Sequence, residues 1–538
     1  MCWRLRAAEV GGTRGILPTM PRVGGLVRTV VVITLSVALL GACGSADPSG
    51  SPGASTADLG TATPRASSTV PPEPPATPTP EPTVSPARWS DCGGGFSCAE
   101  VRVPRDHAAP SDGYLNISMI RSAARKPGER IGSLLVNPGG PGASGVEFVR
   151  DSLAIFPEEL LERFDIVGFD PRGVNSSTAI RCIDNLDGHA ALDPSPDDAA
   201  EFTELVEDAH AYADECARRN DATLAYLSTD AVARDLDMLR AAVGDDELTY
   251  LGFSYGTLIG SRYAELYPDR IRAMALDGAI DPSLDLETFR TGQAKAFEGA
   301  LTRFLDDCAS RARCPFYEGG DSARAFDALM ASIDRDPIPA LLLSDTRLVG
   351  PGLAWSAVLA ALYSESYWPI LANALSQAKD GDGSLMLAIS DPFRGRKANG
   401  SYSNLQDAYV GNVCLDYPAP TDVAEFIGWA VGLEDTAPHF AEFVAYNDLI
   451  CAFWAVPAQG MPRAVRATGA PPIVVIGTTG DTATPYQWAQ SLADQLESGV
   501  LVTREGEGHT GYADSLCVQG AVNAYLLELT VPKDGLTC

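Results

Sequence analysis

Cations are in short supply in this chain: 40 Lys and Arg face 70 Asp and Glu, for a net charge of −30. So acidic a molecule repels a phosphate backbone, which argues against nucleic acid as a partner. Histidine is scarcer still, with five residues, and no two of them stand at metal-ligand spacing. Cys-x-x-Cys is also missing. The pattern therefore offers no metal site, and no cofactor is expected. No apolar run reaches the ~20 residues that span a bilayer, and no internal repeat is found. Apolar residues at 45% and charged residues at 20% are ordinary for a packed protein, which excludes overall disorder and a multi-span membrane protein.

The N-terminus is read first, because targeting segments imitate structure. Arg22 and Arg28 precede a mostly apolar stretch, Val30–Leu40, too short for a permanent span. It ends in Leu40-Gly41-Ala42-Cys43, which resembles the lipobox of bacterial lipoproteins. Residues 1–42 are therefore expected to be a signal peptide, with Cys43 lipidated and the mature chain held at the outer face of the cytoplasmic membrane. Residues 44–88 hold 11 Pro and little apolar surface. Such a stretch cannot offset its chain entropy and reads as a linker, residues 43–88, with a reach on the order of 100 Å if extended.

Of the 12 Cys, ten follow Cys43, an even number in an oxidising compartment. Neighbour spacing favours Cys92–Cys98, Cys182–Cys216, Cys308–Cys314, Cys414–Cys451 and Cys517–Cys538.

Short apolar runs with strand character recur at Ser133–Val136, Ile166–Phe169, Leu248–Leu251, Ile271–Leu276, Ile473–Ile476 and Val500–Thr503. Several are separated by helical patterns, so an α/β fold is expected, a mainly parallel sheet with helices on both faces. Cys98–Val103 and Tyr114–Ile120 alternate polar and apolar and suit antiparallel edge strands. Between Leu276 and Ile473 the order breaks, and helical segments dominate: Leu286–Ala309, Ser322–Ile333, Trp355–Leu362, Ile370–Lys379 and Val423–Val431. The expected organisation is a core of residues 89–280 and 471–538, interrupted late in the sheet by a helical cap of residues 281–470.

Gly252-Phe253-Ser254-Tyr255-Gly256 lies between an apolar strand and the helical run Thr257–Leu266. A sharp strand-to-helix turn needs small residues beside the Ser and presents its hydroxyl at the end of a sheet. That hydroxyl is a poor nucleophile until a base takes its proton. His509, in Gly508-His509-Thr510 after the last strand run, is the His in the right place. Asp481 is the carboxylate in the loop after Ile473–Ile476 and is expected to orient the ring, with Asp277 as the alternative acid. An oxyanion needs two N–H donors. Tyr255, after the nucleophile, supplies one, and Gly140, in Asn137-Pro138-Gly139-Gly140-Pro141-Gly142, supplies the other. That loop lacks the Lys-Ser/Thr ending of a phosphate loop. Arg172 is expected to be structural, paired with an acid under the site.

Asn137–Gly142, Gly168–Gly173, the elbow, Leu276-Asp277-Gly278, Gly480-Asp481 and Gly508-His509 together resemble the proline iminopeptidase-related α/β-hydrolases. More closely, their order and the large insertion are similar to the secreted actinobacterial tripeptidyl aminopeptidases and mycobacterial envelope serine hydrolases of the carboxylesterase A type. The resemblance implies an α/β-hydrolase fold and places nucleophile, acid and base on Ser254, Asp481 and His509. Proline iminopeptidases usually begin the oxyanion motif with His, where this chain has Pro138, which fits the tripeptidyl branch better.

The expected activity is therefore an exported serine peptidase, monomeric, that releases short peptides from free N-termini through an acyl-enzyme. The base must be neutral, so activity is expected to fall as pH drops through roughly 6 to 7. A free α-ammonium calls for a cap carboxylate, and Glu365 and Asp416 are the candidates. An esterase on the same triad is the alternative, since geometry alone does not choose between amide and ester. A solute-binding lipoprotein is the third reading, and the complete triad argues against it.

Overall fold

The computed structural model describes residues 84–220 and 222–538. Cys43, the expected signal peptide and most of the linker lie outside the described residues. The strands are β1 Ser90–Asp91, β2 Ser97–Pro104, β3 Tyr114–Ser122, β4 Gly132–Asn137, β5 Phe164–Phe169, β6 Leu248–Phe253 and β7 Ile271–Asp277. The short pair β8 Ile338–Pro339 and β9 Leu348–Val349 forms its own hairpin, and β10 Ile473–Gly480, β11 Gly499–Glu507 and β12 Leu536–Thr537 complete the set.

Ten of these strands form one sheet in the order β1-β2-β3-β5-β4-β6-β7-β10-β11-β12. The pairings up to β3–β5 are antiparallel and all those beyond are parallel. β4, β5 and β6 are buried at every position, as parallel strands covered on both faces must be. Successive side chains point to opposite faces. Leu135 and Val475 accordingly join one apolar cluster, with Leu236 and Ile259, while Leu134 and Val474 join the other, with Val149 and Val522.

β7 and β10 are neighbours, Met274 opposite Ile473, although the helical insertion separates them in sequence. The insertion has its own core, in which Phe297, Phe304, Phe326, Leu371 and Phe440 are fully or nearly buried. The helical layer draws on a second stretch as well. Ile180, Tyr212 and Cys216, from between β5 and β6, pack with Val410, Phe426 and Ile450. Among the described residues five disulfides, Cys92–Cys98, Cys182–Cys216, Cys308–Cys314, Cys414–Cys451 and Cys517–Cys538, join the pairs that neighbour spacing favours. Among the described residues no helix is long and apolar enough to cross a membrane.

Candidate active site

The parallel strands end on one edge, where the loops after β4, β6, β7, β10 and β11 converge. Ser254 sits between β6 and the helix Tyr255–Leu266 at φ 55° and ψ −126°. A non-glycine residue there carries strain of order 1–3 kcal/mol, which surrounding structure must hold. It is held by close approach: a side chain on Gly252 would meet the Gly256 carbonyl at 2.5 Å. The Ser254 N–H donates to the Asp277 carbonyl at 2.8 Å, which pins the elbow to the end of β7.

His509 follows β11, and Asp481 follows β10. The ring Nδ1 lies 2.8 and 3.0 Å from the two Asp481 carboxylate oxygens. A carboxylate only accepts, so Nδ1 carries the proton and Nε2 presents a lone pair. That Nε2 is buried and has no hydrogen-bond partner among the described residues, which leaves it available to a hydroxyl proton. Asp481 is fixed in turn by N–H donors from Ala483, Thr484 and Thr510, at 3.0, 2.8 and 3.1 Å. The Thr484 hydroxyl stands 3.3 Å from His509 Nδ1, a contact that the sequence pattern does not signal.

Asp277, the alternative acid, does not meet the imidazole. Its carboxylate accepts the N–H groups of Gly511, at 2.9 Å, and Tyr512, at 2.8 Å. Burial pushes its pKa up to about 6, against the opposing pull of those two N–H donors. Asp277 thus holds the elbow with its carbonyl and the base loop with its carboxylate.

The Asn137–Gly142 loop stacks on the elbow. A Cβ on Gly139, whose φ is +92°, would fall 2.8 Å from both Ser254 Cβ and the Tyr255 nitrogen. Only a glycine lets that loop approach so closely. Gly140 is the next residue in it, and the N–H of Tyr255 opens the helix, where first-turn N–H groups lack intrahelical acceptors.

The helical insertion touches both sides of the Asp481–His509 pair. Tyr363 accepts the His509 N–H at 2.8 Å through its carbonyl, and its ring meets the imidazole edge-on at 5.4 Å. Gln293 donates to the Ala483 carbonyl at 2.9 Å. Behind it Arg290 makes a buried two-pronged ion pair with Asp448 through Nε and Nη2, and Nη2 also reaches the Tyr409 hydroxyl at 2.6 Å.

The two expected amine acceptors part company here. Glu365 is exposed and lies next to Tyr363 and Ser364, the segment against which the His509 loop packs. Asp416 corrects the expectation: it is buried, and its oxygens are taken by the Thr229 N–H at 2.8 Å and the Thr229 hydroxyl at 2.5 Å, behind the Tyr255 side chain. A carboxylate so engaged does not face a substrate amine. Arg172 is structural as expected, fully buried and doubly bonded to Asp235.

Two family models match the chain, one described as alpha/beta hydrolase fold over residues 132–318 and one as TAP-like protein over residues 437–538. Serine protease Hip1 of Mycobacterium tuberculosis (strain CDC 1551 / Oshkosh) is 39% identical over 482 residues, covering 84% of this chain and 91% of that protein. Carboxylesterase B of the same strain is 38% identical over 455 residues, covering 82% and 86%. The tripeptidyl aminopeptidase of Streptomyces lividans is 30% identical over 470 residues, covering 84% and 86%. Matches of that length take in both halves of the sheet and the insertion between them.

Proposed function

We propose, for a chain that belongs to the TAP-like branch of the α/β-hydrolase family and is a serine peptidase of that fold, that Ser254, His509 and Asp481 are its catalytic triad. The observation that carries the assignment is His509: its Nδ1 is bound to Asp481 and its Nε2 is buried without a partner, at the sheet edge that presents Ser254. His509 takes the Ser254 proton as the hydroxyl attacks a peptide carbonyl, then gives it to the leaving amine. Water repeats the cycle and frees the acid. Asp481 keeps the tautomer and steadies the imidazolium. The N–H groups of Tyr255 and Gly140 receive the oxyanion.

The substrate is a peptide with a free N-terminus, from which short peptides, tripeptides in the closest reading, are released. Glu365 at the rim is the group that meets the α-ammonium, since it stands on the cap segment in contact with the base loop. The enzyme is exported and anchored by a lipid on Cys43. It works as a monomer on peptides outside the cytoplasmic membrane.

The test compares three substrates on the purified protein and its Ser254→Ala variant: a free tripeptidyl fluorogenic amide, its N-acetylated form and p-nitrophenyl butyrate. Ser254-dependent turnover confined to the free amide is the expected result. Ester turnover without amide turnover would move the protein to the esterase reading, which the similarity to carboxylesterase B keeps in play. With Glu365→Gln, the preference for free over blocked peptide is expected to fall by about tenfold, one charge-assisted contact. An unchanged preference would remove Glu365 from that role.

A further inference from the structure

The helix Leu405–Asp416 meets the loop that carries one expected oxyanion donor at its start, and the side chain of the other along its second half. At its start, the Leu405 carbonyl, the Tyr409 nitrogen and Ala408 crowd Gly142 so closely that a Cβ there would fall 2.6, 3.0 and 3.2 Å from them. Gly142 closes the loop that contains Gly140. At its other end, Asn412 Oδ1 accepts the Tyr255 hydroxyl proton at 3.2 Å, and Asp416 lies within 3.5 Å of the same hydroxyl. Twelve helical residues span about 18 Å, so one rigid element bridges the loop and the elbow.

The contact at the second end is a built network. Thr229 opens the helix Thr229–Val243. Its N–H and hydroxyl both engage the Asp416 carboxylate, and its hydroxyl also meets the Tyr255 hydroxyl at 2.5 Å. An anion at a helix N-terminus is favourably placed. Thr229, Tyr255, Asn412 and Asp416 are all buried, and three separate elements contribute them. Burial is nevertheless costly to a carboxylate and raises the Asp416 pKa to about 6, with Asp230 adding to the effect and Arg262 opposing it. Thr229 and Asp416 also line a small cavity, together with Arg262, Asp230, Gln459 and Pro462.

We propose that Asp416, Thr229 and Asn412 are positioning residues that hold Tyr255 through its hydroxyl and so fix the Tyr255 N–H in the oxyanion hole. This rests on the triad reading above. The helix Leu405–Asp416 sets that donor and the Gly140 loop at one fixed separation, so cap and hole are a single mechanical unit. Their effect falls on the charged tetrahedral state, because a displaced donor weakens an interaction that matters most once charge has formed on the oxygen.

The variants are Thr229→Val, Asp416→Asn and Tyr255→Phe, with Thr229→Ser as the conservative control, all in the full-length protein. For each, kcat and KM are measured, with inhibition by a tripeptide product and by a tripeptidyl boronic acid, which mimics the tetrahedral state. Thr229→Val and Tyr255→Phe are expected to lower kcat by about 10- to 100-fold and to weaken the boronate in proportion. KM and product inhibition should stay within about threefold, and Thr229→Ser should recover most of kcat. Tyr255→Phe removes a single oxygen and keeps the ring, so it remains informative if Asp416→Asn fails to fold. The proposal is overturned if folded Thr229→Val and Tyr255→Phe keep kcat, or if product and boronate binding weaken equally. Ser254→Ala separately decides the triad: retained turnover in that variant defeats the underlying reading, whatever the positioning variants do.

Discussion

Asp277 and Asp481 stand at the ends of neighbouring strands, and the imidazole takes only one of them. Asp481→Asn would offer His509 Nδ1 an amide and favour the wrong tautomer, so kcat is expected to fall by about 10⁴-fold with the fold intact. Steady-state kinetics checks it, and a loss under tenfold would move the acid elsewhere. Asp277→Asn should cost far less in kcat and act instead on stability. The Asp277 pKa is raised from its ordinary value to about 6 by burial. The folded state therefore binds the proton more tightly than the unfolded chain, whose Asp titrates near ~3.9. Stability from this group is full below that value and is lost as pH rises through about 6, on the order of 3 kcal/mol in all. Urea unfolding of wild type and Asp277→Asn from pH 4 to 7 should show the wild type losing this increment and the variant lacking it. Parallel pH dependences would refute the assignment. The pairing of His509 with Asp481 was legible in the sequence because chemistry dictates the residue types of such a pair and only five His were available. Asp416 was misread, because a sequence names an acid without saying which way it points, and here it faces Thr229 rather than the cleft.

Among the elements, the buried strands could be read directly, since covering a parallel sheet on both faces demands apolar runs. β10 ran past its expected end at Ile476 to Gly480, where polar residues continue the pairing with β11. Some helices escaped because a one-sided pattern was missing or short. Leu405–Asp416 is buried on nearly every side, so it shows no apolar stripe at a 3.6-residue period. Ala199–Asn220 buries Ala209, Tyr212, Ala213 and Cys216, a stripe confined to its second half on an otherwise acidic helix, too short to stand out along all 22 residues. What binds the cap helices near the acid loop is also partly polar. Arg290 and Asp448 are almost fully buried, so Arg290→Met strands a carboxylate and should destabilise the protein by about 3–5 kcal/mol. Arg290→Met with Asp448→Leu removes both charges and should recover most of that loss. Chemical denaturation decides, and a double variant no more stable than the single one would show that the pair itself, rather than the orphaned charge, holds the cap.

At the scale of the whole molecule, the acidic surface and the N-terminal segment bear on where the enzyme works. A net charge of −30 gives no attraction to anionic headgroups, so retention at a membrane falls to the proposed lipid on Cys43. A single acyl chain binds a bilayer only marginally, whereas two or more give stable anchoring. The diacylglycerol expected on a lipobox cysteine meets that requirement without help from the folded part. Beneath the proposed anchor, the Pro-rich residues 44–88 are expected to give a reach on the order of 100 Å if extended. Cys43→Ala should therefore move the protein from the membrane fraction to the medium while leaving kcat/KM on soluble peptides unchanged, because Ser254, Asp481 and His509 all lie on the folded sheet's strand ends. Metabolic labelling with a fatty acid, read by mass spectrometry of the mature N-terminal peptide, should find the wild type modified and the variant unmodified. A wild type that is released unlabelled would assign the segment to ordinary secretion, and a variant still bound to membranes would mean that a surface of the folded domain, such as the exposed Leu341, Leu342 and Leu348, does the holding instead.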